Sequence, residues 1–231
     1  MTNYRVDTLE LGTFTTESGE TINNLKLRYE HVGYKGQPLV VVCHALTGNH
    51  LTYGTDEKHG WWREIIDGGY IPRHDYQFLT FNVIGSPFGS SSKLNDPNFP
   101  QHLTLRDIVK AIEKGIKALD FDKINILIGA SLGGMQAMEL LYNNQFQIDK
   151  AIILAATGKT SSYSRAFNEI ARQAIHLGGK EGLSIARQLG FLTYRSSKSY
   201  DQRFTPDEVV TYQQYQGNKF KKNFDLQCYL T

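Results

Sequence analysis

The run Ile124–Ile128 (INILI) leads straight into Gly129-Ala130-Ser131-Leu132-Gly133, and a helical pattern follows at once. A buried strand that turns into a helix within one residue strains the residue at the apex and crowds its neighbours. Both flanking positions therefore call for glycine. Such a turn displays a hydroxyl beyond the carboxyl end of a strand and at a helix N-terminus, where developing negative charge is favoured. Random placement of the chain's 21 glycines and 13 serines would give this five-residue motif only about 0.1 times. The weight still rests on the strand before it and the helix after it, since a glycine-rich turn with an ordinary serine is the bland alternative.

The remaining pattern agrees with that placement. Pro38–Cys43 is a continuous apolar run, as are Tyr76–Val83 and Ala151–Ala155. Such runs indicate strands covered on both faces, as in a parallel sheet under helices. Leu25, Leu27 and Tyr29 alternate with Lys26, Arg28 and Glu30, the period of a half-solvated strand. Between the runs, Leu105, Ile108, Val109, Ile112, Ile116 and Leu119 recur at helical spacing behind Thr104 as N-cap, with Asp107 in the first turn. Alternating strands and helices imply an α/β fold with a doubly wound, mostly parallel sheet. After residue 158 the strand pattern stops. Helices are expected over Tyr163–Leu177, Lys180–Leu189 and Pro206–Tyr215, joined by Gly178-Gly179 and by a polar stretch at 196–203. The expected division is an incomplete core over 1–158 and a helical cap or lid over 159–231.

A second element, His44-Ala45-Leu46-Thr47-Gly48, directly follows the buried run that ends at Cys43. With an elbow of this kind, one oxyanion donor is the backbone N–H after the nucleophile, here Leu132. The other comes from the loop after an earlier strand, here Leu46. Each such donor contributes about 3–4 kcal/mol to transition-state stabilisation. His44 precedes the nucleophile and sits at a strand end, so it reads as a loop-shaping residue rather than a base.

A formal charge of +2 with scattered charges points to no electrostatic partner such as nucleic acid or an anionic membrane surface, so neither is expected. Lys219, Lys221 and Lys222 read as a solvated helix face. The two cysteines, Cys43 and Cys228, read as free thiols. The first residues show no apolar signal region, and no stretch approaches ~18 apolar residues. A cytoplasmic location follows as the expectation, with no metal and no resident cofactor.

Taken together, HALTG at 44–48, Phe99-Pro100 with Thr104-Leu105-Arg106-Asp107, and GASLGGMQ at 129–136 resemble the homoserine O-acetyltransferase family. The resemblance begins at Glu17-Ser18-Gly19 and continues through LSIARQLGFLTYR at 183–195 and GNKFKKNFDLQCYL at 217–230. Asn82–Ser92 (NVIGSPFGSSS) departs from the family's glycine-rich form. The family implies the α/β-hydrolase fold and a ping-pong reaction. Ser131 would take an acetyl group from acetyl-CoA, as co-substrate, and pass it to the hydroxyl of L-homoserine in methionine biosynthesis. The family also implies that Arg187 holds the homoserine carboxylate, and that pairs form through the cap helices. Arg187 lies four residues after Leu183 and four before Phe191, on one side of a helix. A guanidinium there needs a partner, and its planar fork matches a carboxylate. Tyr194 is expected to line the same pocket. Succinyl in place of acetyl, a plain serine esterase and a degenerate fragment are the competing readings.

In this fold the acid and the base follow the nucleophile in that order. Only His176 follows Ser131, at an expected helix end, and Asp149 falls at the expected turn into the next strand. Neither reads as a triad member. The resemblance places both partners after two further strands, so the expectation is a C-terminally truncated chain that is inactive alone.

Overall fold

The computed structural model describes residues 3–231. They form two compact units, one running to Gly158 and including Thr231, the other Lys159–Leu230.

In the first unit the strands are β1 (Tyr4–Glu10), β2 (Phe14–Thr15), β3 (Thr21–Ile22), β4 (Lys26–Val32), β5 (Leu39–Cys43), β6 (Gln77–Phe81), β7 (Lys123–Ala130) and β8 (Gln147–Leu154). The helices are α1 (Arg63–Asp67), α2 (Leu105–Ala118) and α3 (Leu132–Asn143). The main sheet runs β1-β4-β6-β5-β7-β8 among the described residues, and β2-β3 is a separate hairpin. β1, β4 and β6 pair antiparallel, whereas β6, β5, β7 and β8 are all parallel.

Every residue of β5 is buried, as a strand covered on both faces requires. Leu39, Val41 and Cys43 enter one apolar cluster with Val109, Ile112 and Ile116 of α2. Val40 and Val42 enter another with Ile66 of α1. Helices thus lie on both faces, the doubly wound arrangement. The capping expectation for α2 is met and exceeded. Thr104 accepts from the Asp107 N–H, and the Asp107 carboxylate accepts the Thr104 N–H, closing a capping box. The same carboxylate accepts the Glu17 N–H at 2.8 Å and so ties the β2–β3 hairpin to the helix.

Four local expectations need correcting. The run Ala151–Ala155, expected as a strand covered on both faces, falls at the end of β8, which is largely exposed at the edge of the sheet among the described residues, with Ile152 and Leu154 39% and 47% exposed. Alternation puts Glu30 on a solvated strand face, yet it is 1% exposed. It accepts the backbone N–H groups of Thr52, Tyr53 and Gly54 at 2.7–2.8 Å, compensating a burial that raises its pKa. Period two fixes the face of a strand, not what later packs on it. Asp149 lies inside β8 rather than in the turn before it, paired with Lys123 at 2.9 Å. The stretch 196–203, expected as a polar connector, is mostly helical.

In the second unit α4 (Ser162–Thr193) is a pair of helical stretches merged across a break at Gly179 (φ 53°, ψ −122°), the place where Gly178-Gly179 is expected to separate one helix from the next. α5 (Ser197–Arg203), α6 (Pro206–Asn223) and α7 (Leu226–Leu230) follow. Ser196 caps α5 by accepting the Ser199 N–H, and Tyr200 anchors it by donating to the Phe191 carbonyl at 2.8 Å. α6 opens with a capping box of Thr205 and Glu208 and with Pro206 at its first position. Lys219 and Lys222 lie on α6, and Lys221 pairs with Glu181 at 2.7 Å. Among the described residues, no helix is long and apolar enough to cross a membrane.

Candidate active site

β7 stops at Ala130 and α3 starts at Leu132, leaving Ser131 as the single joint. Its φ of 55° and ψ of −123° are a conformation that non-glycine residues rarely adopt. Packing holds it there. The Ser131 N–H donates to the Leu154 carbonyl at 3.0 Å, extending the β7–β8 ladder into the turn. A Cβ on Gly129 would sit 2.0 Å from the Gly133 carbonyl oxygen, and one on Gly133 would sit 2.0 Å from that of Cys43. Both flanking glycines are therefore required by contact with backbone, the crowding that the turn demands.

The contact of Gly133 with Cys43 also seats the HALTG loop against the first turn of α3. Gln136 donates to the His44 carbonyl at 3.2 Å from the same helix. His44 is fully buried; its Nε2 accepts the Val83 N–H at 3.1 Å, which leaves Nδ1 to donate to the Ala45 carbonyl at 2.7 Å. Burial pushes its pKa down to about 4, so the ring is neutral near pH 7. With both nitrogens committed, it shapes the loop and is not free to accept a proton from Ser131.

The Gly48 N–H closes the turn onto the Ala45 carbonyl at 2.8 Å, carrying Leu46 at its exposed tip. Leu132 occupies the first helical position, where the N–H has no intrahelical acceptor. The Ser131 hydroxyl has no hydrogen-bond partner among the described residues. No cluster of His, Cys, Asp or Glu that could hold a metal occurs among them either. Cys43 and Cys228 are buried and form no disulfide among the described residues, and burial pushes the Cys43 thiol up to about 12.

In the second unit, Arg187 of α4 lies over the rings of Phe191 (4.5 Å), Phe220 (4.9 Å) and Tyr194 (6.0 Å). Its Nη1 donates to the Tyr194 hydroxyl at 3.3 Å. Arg187 and Tyr194 are thus brought together, as the sequence suggests. Phe220, from α6, carries no such signal in the sequence; only the packing of α6 on α4 places it there. His176 precedes the Gly179 break by three residues, near a helix end as expected.

Sheet order, helices on both faces and a serine at a strained strand–helix joint define the α/β-hydrolase class. A family profile described as the alpha/beta hydrolase fold matches residues 38–177. A solved homoserine O-acetyltransferase of Staphylococcus aureus is 85% identical, with a TM-score of 0.96 over 99% of this chain. A homoserine O-succinyltransferase of Hahella chejuensis is 32% identical over 94% of it. A homoserine O-acetyltransferase of Methanobrevibacter ruminantium is 32% identical over the whole of this chain. The chain spans 70%, 68% and 57% of the lengths of those three proteins. It belongs to the homoserine O-acetyltransferase family.

Proposed function

We propose that the protein transfers an acetyl group from acetyl-CoA to the hydroxyl of L-homoserine, with Ser131 as the nucleophile. The observation that carries this reading is the strained backbone of Ser131, held between β7 and α3 by the Leu154 carbonyl and the close contacts at Gly129 and Gly133. In the first half-reaction Ser131 Oγ bonds to the acetyl carbon and the thioester C–S bond breaks. The serine proton ends on the CoA thiol. In the second, the homoserine hydroxyl bonds to the same carbon, the Ser131 ester breaks, and the hydroxyl proton returns to Oγ. The backbone N–H groups of Leu46 and Leu132 take the developing oxyanion; neither has an acceptor among the described residues, which suits that role.

Arg187 takes the homoserine carboxylate, with Tyr194 beside it. The support is chemical: a guanidinium stacked among aromatic rings, with no carboxylate partner among the described residues, keeps donors open for a planar anion. A plain esterase has no use for such a group. The unit over 1–158 carries the nucleophile, and the helical unit carries Arg187 and Tyr194.

Mass spectrometry of the gene's complete product with acetyl-CoA tests the reading. The Ser131 peptide should gain one acetyl group, lose it when homoserine is added, and never gain it in Ser131→Ala. Discharge to water at an equal rate without homoserine would make the protein an esterase, and preference for succinyl-CoA would replace the acyl group. The 231-residue chain by itself is proposed not to turn over. Among the described residues no base sits on its serine hydroxyl, and an unassisted serine is a poor nucleophile. Turnover by that chain, abolished in Ser131→Ala, would overturn this.

Pairing through the cap helices is supported by Tyr163, Ile170 and Leu177, exposed on α4 at seven-residue intervals. Sedimentation should show a dimer that Leu177→Glu dissociates. A reducing cytoplasm suits a chain whose two cysteines form no disulfide, and the proposed substrates are small molecules, with no resident cofactor.

A further inference from the structure

A cavity opens in the first unit, on the antiparallel side of the sheet. It measures about 350 Å³, at the small end of ligand sites. Its walls come from β1, β4, the loop after β5 and the Asn82–Ser92 loop. The β4–β6 register puts Arg28 opposite the residue after β6, because the Asn82 N–H donates to the Arg28 carbonyl at 2.8 Å. The cavity thus shares the carboxyl end of the parallel strands with Ser131. It is three strands away in the sheet order, roughly 14 Å at ordinary strand spacing.

The charged side chains that line the cavity are both cations, Arg28 and Lys58. Arg28 donates from Nε to His50 Nε2 at 3.3 Å and from Nη1 to Thr8 Oγ1 at 3.4 Å, and it has no ion-pair partner among the described residues. Because a guanidinium can only donate, His50 Nε2 must be the unprotonated nitrogen. The ring's proton is then on Nδ1, and that buried atom has no acceptor among the described residues. A buried donor without an acceptor is costly and uncommon in a native fold. Lys58 adds a second cation on the loop, and no carboxylate belongs to the lining. Glu30, on the same face of β4 as Arg28, is committed to the N–H groups of Thr52, Tyr53 and Gly54 and to the hydroxyl of Tyr4. Tyr4 and Phe88 supply flat apolar wall.

We propose that this cavity binds a phosphomonoester, with Arg28 and Lys58 facing the phosphate and the remainder of the ligand on Tyr4 and Phe88. A phosphomonoester carries about −1.5 to −2 near pH 7, which two cations match; a carboxylate would leave one uncompensated. The site is distinct from the nucleophile and does not depend on the acyl-transfer reading. The group could belong to a free metabolite or to the 3′-phosphate of coenzyme A, and the two sources are separable.

Calorimetric titration of the 231-residue chain with phenyl phosphate is the test, with benzoate as the carboxylate control. Saturable binding of phenyl phosphate is expected. Arg28→Met and Lys58→Met should each weaken it by about tenfold, the usual cost of one charge-assisted contact. Lys58 is exposed on a loop, so Lys58→Met keeps the test alive if Arg28→Met fails to fold. Absence of saturable binding, binding indifferent to Lys58→Met, or benzoate binding as tightly would each overturn the proposal. Titration with coenzyme A and dephospho-coenzyme A then assigns the source. A difference that vanishes in Lys58→Met places the coenzyme's own phosphate here, and no difference supports a free phosphomonoester.

Discussion

At Ser131 the constraint is backbone against backbone, whereas at Arg187 nearly everything is side chain against side chain. The serine's φ of 55° is imposed by carbonyls and amides of β7, β8 and the loop after β5. The arginine's position comes from stacking on three rings that belong to α4, its C-cap and α6. The first kind of site cannot relax without moving the sheet; the second can lose a member and keep its fold. A group that must present one atom at one place is built into the backbone. A group that must grip a variable ligand is built from long side chains.

Breaking the first region should therefore cost most. Gly133→Ala puts a methyl 2.0 Å from the Cys43 carbonyl oxygen, where only backbone can yield. A loss of about 3 kcal/mol or more is expected, read as a lowered midpoint in urea. Gly158→Ala is the control, since its added methyl meets nothing within 4 Å, and it should stay within about 0.5 kcal/mol. An unchanged midpoint for Gly133→Ala would show that the turn is softer than its packing implies.

Arg187→Met tests the second region. The stem remains to cover the rings, so the unfolding midpoint should barely move. The KM for homoserine in the complete product should rise about 10- to 100-fold, while acetylation of Ser131 without acceptor is unchanged. Arg187→Lys should recover little, because a point charge does not replace a planar fork. Loss of both half-reactions would mean that the arginine serves the fold or the acyl donor instead.

This contrast also explains what the sequence discloses. The nucleophile turn is legible because backbone crowding writes itself as glycine at fixed offsets. The buried strands are legible because a strand covered on both faces has to be apolar throughout, as β5 is. Phe220 is not legible, being 33 positions from Arg187 and close only through the packing of α6 on α4. Glu30 defeats the period-two reading because its partners, the N–H groups of Thr52 to Gly54, carry no residue-type signature. The helix at Ser197–Arg203 is hidden for a different reason. Its polar composition resembles a connector, and the signal is the cap at Ser196 together with the anchor Tyr200.

A smaller effect tests how firmly the HALTG loop is set. His44 has its pKa pushed down to about 4 by burial, against an ordinary 6.5, so it binds its proton less readily folded than unfolded. Between those values the unfolded chain holds more protons, and stability falls as pH drops through the window from about 6.5 to 4. The slope is about 1.4 kcal/mol per pH unit at most for one such group. His50, pushed down to about 4 by burial and by Arg28, adds a second contribution of the same sign. His44→Gln should therefore flatten the acid side of the stability curve without abolishing it. A curve unchanged in slope would mean that the ring is not buried neutral.

The least costly change should be Tyr194→Phe. It deletes only the hydroxyl that accepts from Arg187 Nη1 at 3.3 Å and keeps the ring under the guanidinium. One neutral acceptor on an exposed side chain is worth about 1 kcal/mol or less, so the homoserine KM should rise only a few-fold. Because the same hydroxyl competes with a ligand for the Nη1 donor, removal could free that donor rather than strand it. A fall in KM would therefore assign the hydroxyl to holding the arginine while the site is empty. A rise as large as that of Arg187→Met would make Tyr194 a direct partner of the ligand and shift the grip from charge to the aromatic cluster.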